Sequence, residues 1–379
     1  MSQDIQNLIE LASKGLVPMF DDGRQLFCDR LIRKGGNLQR EGFSPRYTIM
    51  TLLGLRELER SGGRSPFDCS ALYRAFMADM SWIRSAGDLG LVIWLTSAFA
   101  AEEMEALFKR VEVDTALERY PDAREGRTME LAWFLSGLSH ATGAAPSLAG
   151  PLTDLAVDAY HRLEENQGEH GFFCHMNTKA SLAGRLRGRI GSFADQIYPI
   201  YAMAKFGKAF NIQEPVLPAL RCAEAICSAQ GRLGQWWWLY DSRSGRVSSH
   251  YPVYSVHQHG MAPMGLFALE EASGHSFKQA IYRGLQWIYG SNELLADMRD
   301  PTQNLIWRCI RPASRQTKYW ETAMSLIQPP KQDVSVKSLT ILYEDRPYEL
   351  GWLLYAFARF TDNGTSSDSP IQSCGAQQS

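Results

Sequence analysis

Residues 230–264 read QGRLGQWWWLYDSRSGRVSSHYPVYSVHQHGMAPM, a denser run of aromatic and hydrogen-bonding side chains than any other part of the chain. A helical apolar period precedes the stretch at residues 216–228 and resumes at residues 256–271. Between them, glycines and the turn-forming residues 241–245 interrupt both periods. The stretch therefore predicts a polar-aromatic corner between two helices.

Helices of two kinds alternate along the rest of the chain. One kind is amphipathic with a charged face, and the other is apolar on nearly all faces, which is typical of a buried helix. Six helices of the apolar kind begin near Arg46, Asp88, Glu130, Asp195, His257 and Glu349. Six outer–inner pairs predict an all-α (α/α)6 toroid whose inner helices run parallel around one axis. We expect one domain over residues 1–360 and a disordered, Ser/Gln/Gly-rich tail over residues 361–379.

Strand-like alternation is scarce in the sequence. Residues 335–342 (SVKSLTIL) are the best strand candidate, and residues 290–347 otherwise predict irregular structure. Near the N-terminus, residues 23–33 are predicted to form a helix.

The composition restricts the class of protein. The 379 residues are 45% hydrophobic and 21% charged with a formal net charge of −2, so no basic surface for nucleic acid is indicated. Seven scattered cysteines without a CxxC pair indicate a reducing compartment. The N-terminus lacks a basic, apolar leader, and no run approaches the roughly 18 apolar residues of a membrane span. We therefore expect a cytoplasmic protein without a nucleic-acid partner.

The corner contains one of two matching loops. Residues 167–173 (QGEHGFF) and 230–236 (QGRLGQW) share one spacing, which is Gln, three residues, Gly, one residue, aromatic. This spacing resembles the QW repeat of terpenoid cyclases and related toroids. The resemblance implies that Gln167 and Gln230 cap helix ends, that the ring stacks on the neighbouring helix pair, and that both loops are structural braces.

Polar residues cluster at the starts of the six inner helices. In a toroid with parallel inner helices these starts meet at one end, where the helix dipoles also favour anionic groups. Carboxylates, tyrosines, arginines and tryptophans together suit a saccharide, which accepts and donates hydrogen bonds and stacks its C–H faces on indole rings. Candidates for acid–base catalysis are Asp88, Glu130, Asp195, His257 and Glu349. Candidates for substrate binding are Arg46, Tyr47, Tyr198, Trp237, Tyr240, Tyr254, Gln258, Arg187, Arg308 and Tyr348.

Structural roles compete with these assignments. Asp88 fits a helix cap equally well, and Glu130 stands among apolar residues that predict burial. His257 and His259 face different directions on a helix, and we favour His257 for the site. The basic run that includes Arg187 is typical of a solvated loop, although its place before an inner helix also suits an anionic ligand.

The motifs of protonating terpene cyclases, of ionising prenyl synthases and of phosphate-binding loops are missing from the sequence. There is no DxDD acid and no Walker A or GxGxxG loop, and residues 21–25 (DDGRQ) depart from DDxxD at the last position. Cys174 and His175 resemble the Cys-His pair of lanthionine cyclases, but the other zinc ligands of that pattern are not recognisable. We therefore predict neither a metal nor another cofactor.

Three segments carry a family resemblance. GQWWWLYDSRSGRVSSHYPVYSVHQHGMAPMGL, FADQIYPIYAMA and SPRYTIMTLLGL resemble the VpsJ-type polysaccharide-biosynthesis proteins over most of residues 40–360. The resemblance implies a toroid linked with exopolysaccharide synthesis. WLYD followed by VYSVHQHGM is also similar to the C-terminal helical region of glucuronyl C5-epimerases, which implies a uronate site with Tyr240, Tyr254 and His257. The β-sandwich that precedes this region in those epimerases is missing here.

These patterns predict a carbohydrate-active protein of exopolysaccharide synthesis that performs acid–base chemistry as an epimerase, lyase or hydrolase. Its partner would be a saccharide or a nucleotide-sugar-like molecule. Two alternatives stay open: a non-catalytic sugar-binding or scaffold protein, and a terpenoid-cyclase-like enzyme. A deep mouth holding two carboxylates and His257 favours catalysis, a filled mouth favours a scaffold, and a mainly aromatic wall favours a cyclase.

Overall fold

Six inner helices form a closed ring in the computed structural model, which describes residues 2–177, 179, 188–313 and 338–360. They are α2 (Pro45–Arg60), α4 (Ala86–Phe99), α8 (Thr128–Ala144), α10 (Ala194–Phe210), α12 (Ala262–Ser273) and α14 (Pro347–Phe357). Each packs against the next, and α14 packs against α2. The predicted (α/α)6 toroid and the positions of its inner helices are confirmed.

An outer layer of amphipathic helices surrounds the ring. It comprises α1 (Ser2–Leu16), α3 (Cys69–Met77), α5 (Met104–Val111), α6 (Ala116–Arg119), α7 (Pro121–Arg124), α9 (Ala149–Glu164), α11 (Val216–Ser228) and α13 (Lys278–Ile288). In α13, for example, Ile281, Leu285 and Ile288 share one face and are buried. Within the described ranges, no helix combines the length and apolar composition needed to cross a bilayer.

Glycines allow the inner helices to approach closely. A Cβ at Gly90 of α4 would lie 2.3 Å from the carbonyl oxygen of Trp133 in α8. A Cβ at Gly54 of α2 would lie 2.1 Å from the carbonyl oxygen of Gly351 in α14. Any side chain at these positions would separate the helices, so glycine there fixes the width of the ring.

Short strands build the rim at the N-terminal ends of the inner helices. They are β1 (Phe20–Asp21), β2 (Leu26–Phe27), β3 (Arg30–Lys34), β4 (Asn37–Glu41), β5 (Ile190–Ser192), β6 (Leu239–Asp241), β7 (Arg246–Ser249), β8 (Val253–Tyr254), β9 (Arg299–Asp300), β10 (Leu305–Ile306), β11 (Cys309–Pro312), β12 (Leu339–Leu342) and β13 (Glu344–Asp345). The three larger sheets have the orders β13–β3–β4, β12–β11–β8 and β5–β6–β7. Because β4, β5 and β13 end just before α2, α10 and α14, the sheets set where these helices begin.

The helix predicted at residues 23–33 is wrong. Residues 30–34 form β3, which pairs antiparallel with β4 through a turn at Gly35 and Gly36. Both glycines have positive φ, which closes the hairpin and stops a helix. The region expected to be irregular contains β9 to β13, and the predicted strand is present at Leu339–Leu342, while residues 335–337 lie outside the described part of the chain.

The two matching loops are braces with the same hydrogen bonds. Each glutamine Nε2 donates to the carbonyl four residues later and to a carbonyl in the first turn of the next outer helix: Gly171 and Pro218 for Gln167, Gly234 and Ala280 for Gln230. Gly171 and Gly234 both have positive φ, and the aromatic residues Phe173 and Trp236 are fully buried. Each loop therefore ties an inner–outer pair to the following one.

Candidate functional site

A cavity of about 410 Å³ opens at the N-terminal ends of the inner helices. We call it the mouth cavity. Five of the six inner-helix segments line it, α4 being the exception, and contribute among others Tyr47, Trp133, Tyr198, His257 and Tyr348. Because the starts of distant helices meet here, the predicted parallel arrangement and common mouth are observed.

One wall of the mouth cavity is an arginine held by two carboxylates. Arg46 Nε lies 2.5 Å from Asp88 Oδ1, and Arg46 Nη1 lies 3.2 Å from Glu130 Oε1. Ser85, which caps α4, donates to Glu130 Oε2 at 2.9 Å. Asp88 and Glu130 are only 3% and 8% exposed and are absent from the described lining of the cavity. Burial raises the pKa of Glu130, and Arg46 opposes that shift.

A second arginine is held in the same way on another wall. Arg308 hydrogen-bonds to Glu349 through Nη1, and its Nε lies 3.4 Å from Glu344. Its guanidinium lies 4.9 Å from the centre of the Tyr254 ring. Glu349 is fully buried behind Arg308, and burial raises its pKa to about 7, with Arg308 acting in the opposite direction. Glu349 therefore positions Arg308 and does not line the mouth cavity.

His257 is the imidazole that lines the mouth cavity. It packs against Phe193 at 4.4 Å and Tyr254 at 5.2 Å between ring centres. Burial lowers its pKa to about 3, and the nearby Arg308 charge adds to this effect, so the ring is neutral at ordinary pH.

The two ring nitrogens of His257 differ in their surroundings. Nδ1 is buried and has no hydrogen-bond partner among the described residues. The backbone of Trp236 opposes the lowering of the pKa of the ring. A neutral imidazole keeps one nitrogen lone pair, which is suited to accept a proton.

A π-turn explains the direction of His257. Residues His257–Met261 form one π-helical turn before α12. His257 and Met261 line the mouth cavity, whereas the intervening Gln258 and His259 are fully buried. Gln258 Nε2 donates to the Tyr254 carbonyl at 3.1 Å, and the structure does not bring Gln258 to the mouth cavity.

Aromatic and hydroxyl groups complete the mouth cavity. Tyr47 stacks on Tyr348 at 4.4 Å, and Arg346 donates to the Tyr47 hydroxyl at 2.8 Å. Tyr198 accepts a hydrogen bond from Trp352, and burial raises its pKa, so the phenol stays neutral. The surface therefore offers flat aromatic faces beside hydrogen-bonding groups.

Three further predicted residues lie away from the mouth cavity. Tyr240 is fully buried and accepts a hydrogen bond from the Trp237 backbone at 3.1 Å. The indole Nε1 of Trp237 donates to the Ala229 carbonyl, so this N–H group is used within the corner and not at the mouth cavity. Asp195 accepts from the backbone and hydroxyl of Ser192 at 2.8 and 2.9 Å, so it ties the first turn of α10 to the end of β5. Arg187 lies outside the described residues.

Asp29, Trp133 and Trp238 are among the lining residues that the sequence analysis did not identify. Asp29 was hidden in the helix wrongly predicted at residues 23–33, and it is the one carboxylate among the described lining residues. Trp133 lies nearly one helical turn after Glu130, which is a spacing that predicts a shared face. Trp238 lines the mouth cavity in place of Trp237, and nothing in a run of three tryptophans distinguishes the two.

Cys174 and His175 are engaged in local contacts. Cys174 Sγ donates to the Met176 carbonyl at 3.0 Å, and burial raises the pKa of the thiol to about 12. His175 Nδ1 lies 3.2 Å from Asp195. Among the described residues, no three His, Cys, Asp or Glu side chains are grouped as metal ligands.

Comparison with known proteins gives the fold. No family model matches the chain, and no curated protein does. A sugar epimerase from a ruminal bacterium is 11% identical with a TM-score of 0.61, and the match covers 92% of this chain and 98% of that one. An unsaturated glucuronyl hydrolase from Bacillus sp. GL1 is 13% identical with a TM-score of 0.60, covering 95% and 96%.

The cellobiose 2-epimerase of Bacillus thermoamylovorans is 10% identical with a TM-score of 0.60, covering 94% of this chain and 99% of that chain. At such identities these likenesses show a shared (α/α)6 toroid. The VpsJ-type resemblance stays a prediction.

Proposed function

We propose that this protein is a carbohydrate-active enzyme that moves a proton at a sugar carbon, as an epimerase or a lyase does. The observation that carries the proposal is His257, a neutral imidazole in the wall of the mouth cavity. The similar folds of sugar-acting enzymes support the substrate class.

The mouth cavity has the chemistry that a saccharide requires. Its volume of about 410 Å³ lies in the range of small-molecule sites. Indole and phenol rings, such as Trp133, Trp238 and Tyr348, offer faces for sugar C–H groups, while hydroxyls and guanidinium groups offer hydrogen bonds. A terpenoid cyclase needs a mainly aromatic wall, which two arginines and an aspartate in the lining do not favour.

The carboxylates favour proton transfer over hydrolysis. A glycoside hydrolase uses two carboxyl groups on either side of the bond that breaks. Asp88 and Glu130 are instead turned to Arg46, and Glu349 is turned to Arg308. This leaves Asp29 as the described carboxylate that lines the mouth cavity.

The proposed reaction assigns a role to each group. His257 takes the proton from a carbon beside a carbonyl or carboxylate group. The electron pair of that C–H bond forms a double bond to the carbonyl or carboxylate carbon, and the C=O electron pair moves to its oxygen. Arg308 stabilises the negative charge on that oxygen. In an epimerase, an acid on the other side of the sugar returns a proton to the opposite face. In a lyase, the pair instead expels the substituent at the next carbon.

We assign the natural substrate to polysaccharide synthesis on the basis of the VpsJ-type resemblance. Nucleotide sugars and polymer-bound uronates both belong to this proposal. Lys205 and Lys208 have no role in this reaction, because they line a different cavity.

The test is exchange of a sugar C–H with solvent deuterium. Cellobiose, glucuronate and an oligosaccharide ending in glucuronate are incubated with the enzyme in D₂O and followed by proton NMR. We expect deuterium incorporation at one carbon, and we expect His257→Asn to slow it by about 100-fold or more. His259→Asn is the matched control because His259 is equally buried but does not line the mouth cavity.

Other outcomes assign other functions. New reducing ends without exchange would make the protein a hydrolase. Binding of a sugar without exchange or cleavage would make it a binding or scaffold protein.

A further inference from the structure

A second cavity lies at the opposite end of the ring. It measures about 590 Å³ and is larger than the mouth cavity. Residues from the C-terminal parts of α2, α4, α8, α10 and α14 line it, and none of them lines the mouth cavity. We call it the far pocket.

A column of buried aromatic rings separates the two cavities. Trp94 belongs to the far pocket and stacks on Trp352 at 5.6 Å. Trp352 is fully buried and donates to Tyr198, which belongs to the mouth cavity. A ligand in the far pocket would therefore not touch His257.

The far pocket has more cations than its carboxylates balance. Lys205 and Lys208 of α10 each have Nζ at 3.6 Å from Glu271 Oε2, and Arg359 also contacts this carboxylate. One carboxylate is thus shared by three cations. Arg60, also in the lining, already pairs with Glu57 at 2.8 Å.

Lys205 is not placed to balance the negative end of a helix dipole. Arg60 has that role, because it donates to the Ala98 carbonyl at the end of α4. Lys205 stands five residues before the end of α10, with Nζ 5.6 Å from the centre of the Tyr201 ring. Burial and the neighbouring cations Lys208 and Arg359 together lower its pKa to about 8, and Glu57 opposes this shift. Its charge is therefore poorly compensated.

Hydroxyl groups line the same pocket. Thr142 is 3% exposed, and its Oγ1 has no hydrogen-bond partner among the described residues. Ser97 and Ser139 donate to carbonyls of their own helices and keep lone pairs free to accept. A buried hydroxyl without a partner is costly unless a ligand or water supplies one.

We propose that the far pocket is a second ligand site, which binds a sugar-sized hydroxylated anion through Lys205, Lys208 and Thr142. The anionic group is a phosphate or a carboxylate, which lysine recognises by the same point charge. The hydroxyls of the ligand satisfy Thr142 and the serines.

Calorimetric titration with glucose 6-phosphate, glucuronate, inorganic phosphate and glucose tests the site. At least one of the two sugar anions is expected to bind more tightly than both glucose and inorganic phosphate. Lys205→Met and Lys208→Ala are expected to weaken that binding at least tenfold, and Thr142→Val to weaken it by less. Lys208→Ala removes an exposed side chain, so its result stands even where Lys205→Met fails to fold.

Two controls locate the binding. Lys278→Ala removes a lysine that is exposed on α13, and His257→Asn alters the mouth cavity. Both are expected to keep the affinity for the sugar anion. Loss of binding in His257→Asn but not in Lys208→Ala would place the anion in the mouth and overturn the proposal. Inorganic phosphate binding as tightly as the sugar anions, or no binding of any probe, would also overturn it.

Discussion

The two ends of the ring differ in the sign of the charges they collect. Around the mouth cavity, Asp88, Asp195 and Glu349 stand in the first turns of inner helices. At the far pocket, Arg60 and Lys208 stand in the last turns. Helix dipoles favour anions at N-termini and cations at C-termini, so parallel inner helices sort the charges by end.

The two ends also differ in how completely their charges are paired. Carboxylates at the mouth are balanced by Arg46 and Arg308, which become the charged groups that face the cavity. At the far pocket three cations share Glu271. The arginines at the mouth are thus paired with carboxylates and the imidazole there is neutral, while cations outnumber carboxylates at the far pocket.

The largest expected effect concerns the buried ion pair between Arg308 and Glu349 at the mouth. Glu349→Leu should lower the free energy of unfolding by about 3–5 kcal/mol, because it leaves the buried Arg308 with the more distant Glu344 as its one ion-pair partner among the described residues. Glu271→Gln is the counterpart at the far pocket. Glu271 is partly exposed, and its loss should cost about 1 kcal/mol or less. Urea denaturation measures both, and equal costs would contradict the difference between the ends.

The next effect concerns the close packing of inner helices α4 and α8 at Gly90. Gly90→Ala should destabilise the fold by about 2–4 kcal/mol, because the new Cβ would meet the Trp133 carbonyl. Gly143→Ala is the control in α8, since a Cβ there meets nothing within 4 Å. It should instead stabilise by about 0.5 kcal/mol through helix propensity. Thermal denaturation distinguishes the signs, and similar losses would mean that ring width is not fixed at Gly90.

A smaller effect is expected at Lys205. Lys205→Met should raise the free energy of unfolding at pH 7 by about 1–3 kcal/mol, because an apolar side chain replaces a largely buried charge that shares its carboxylate with two other cations. Lys208→Ala should change stability by about 0.5 kcal/mol at most, since that side chain is largely exposed. A destabilised Lys205→Met protein would show that Glu271 compensates the charge fully.

The ends should also respond to pH with opposite signs. The folded pKa of Glu349 is about 7, above its ordinary 4.5, so the native state binds more protons and loses stability as pH rises between these values. The folded pKa of Lys205 is about 8, below its ordinary 10.5, so stability is gained as pH rises from 8 to 10.5. Stability curves of Glu349→Gln and Lys205→Met should each lack one slope, and a variant that keeps its slope would refute the assignment.

The periodicity of the sequence determined the ring. Apolar helices alternating with charged ones can bury their surface only as an inner layer, so the six inner starts and the class of fold followed from pattern. The Gln-Gly-aromatic loops were also predictable, because their spacing reflects local hydrogen bonds and a positive φ at the glycine. The β3–β4 hairpin was missed because residues 23–33 were predicted to form a helix, whereas Gly35 and Gly36 are the turn between two strands.

Which side chains reach the mouth cavity was decided by tertiary structure. Polar starts identified Arg46, Tyr47, Tyr198, His257 and Tyr348 as residues near the axis, and these line the cavity. The π-turn directs His257 to the mouth cavity and buries Gln258 in the protein interior. The rim sheets bring Asp29 and Arg308 to the cavity from segments far apart in the sequence. A sequence states where a helix begins, but the rotation of its first turn and the partners of its charges depend on neighbours far along the chain.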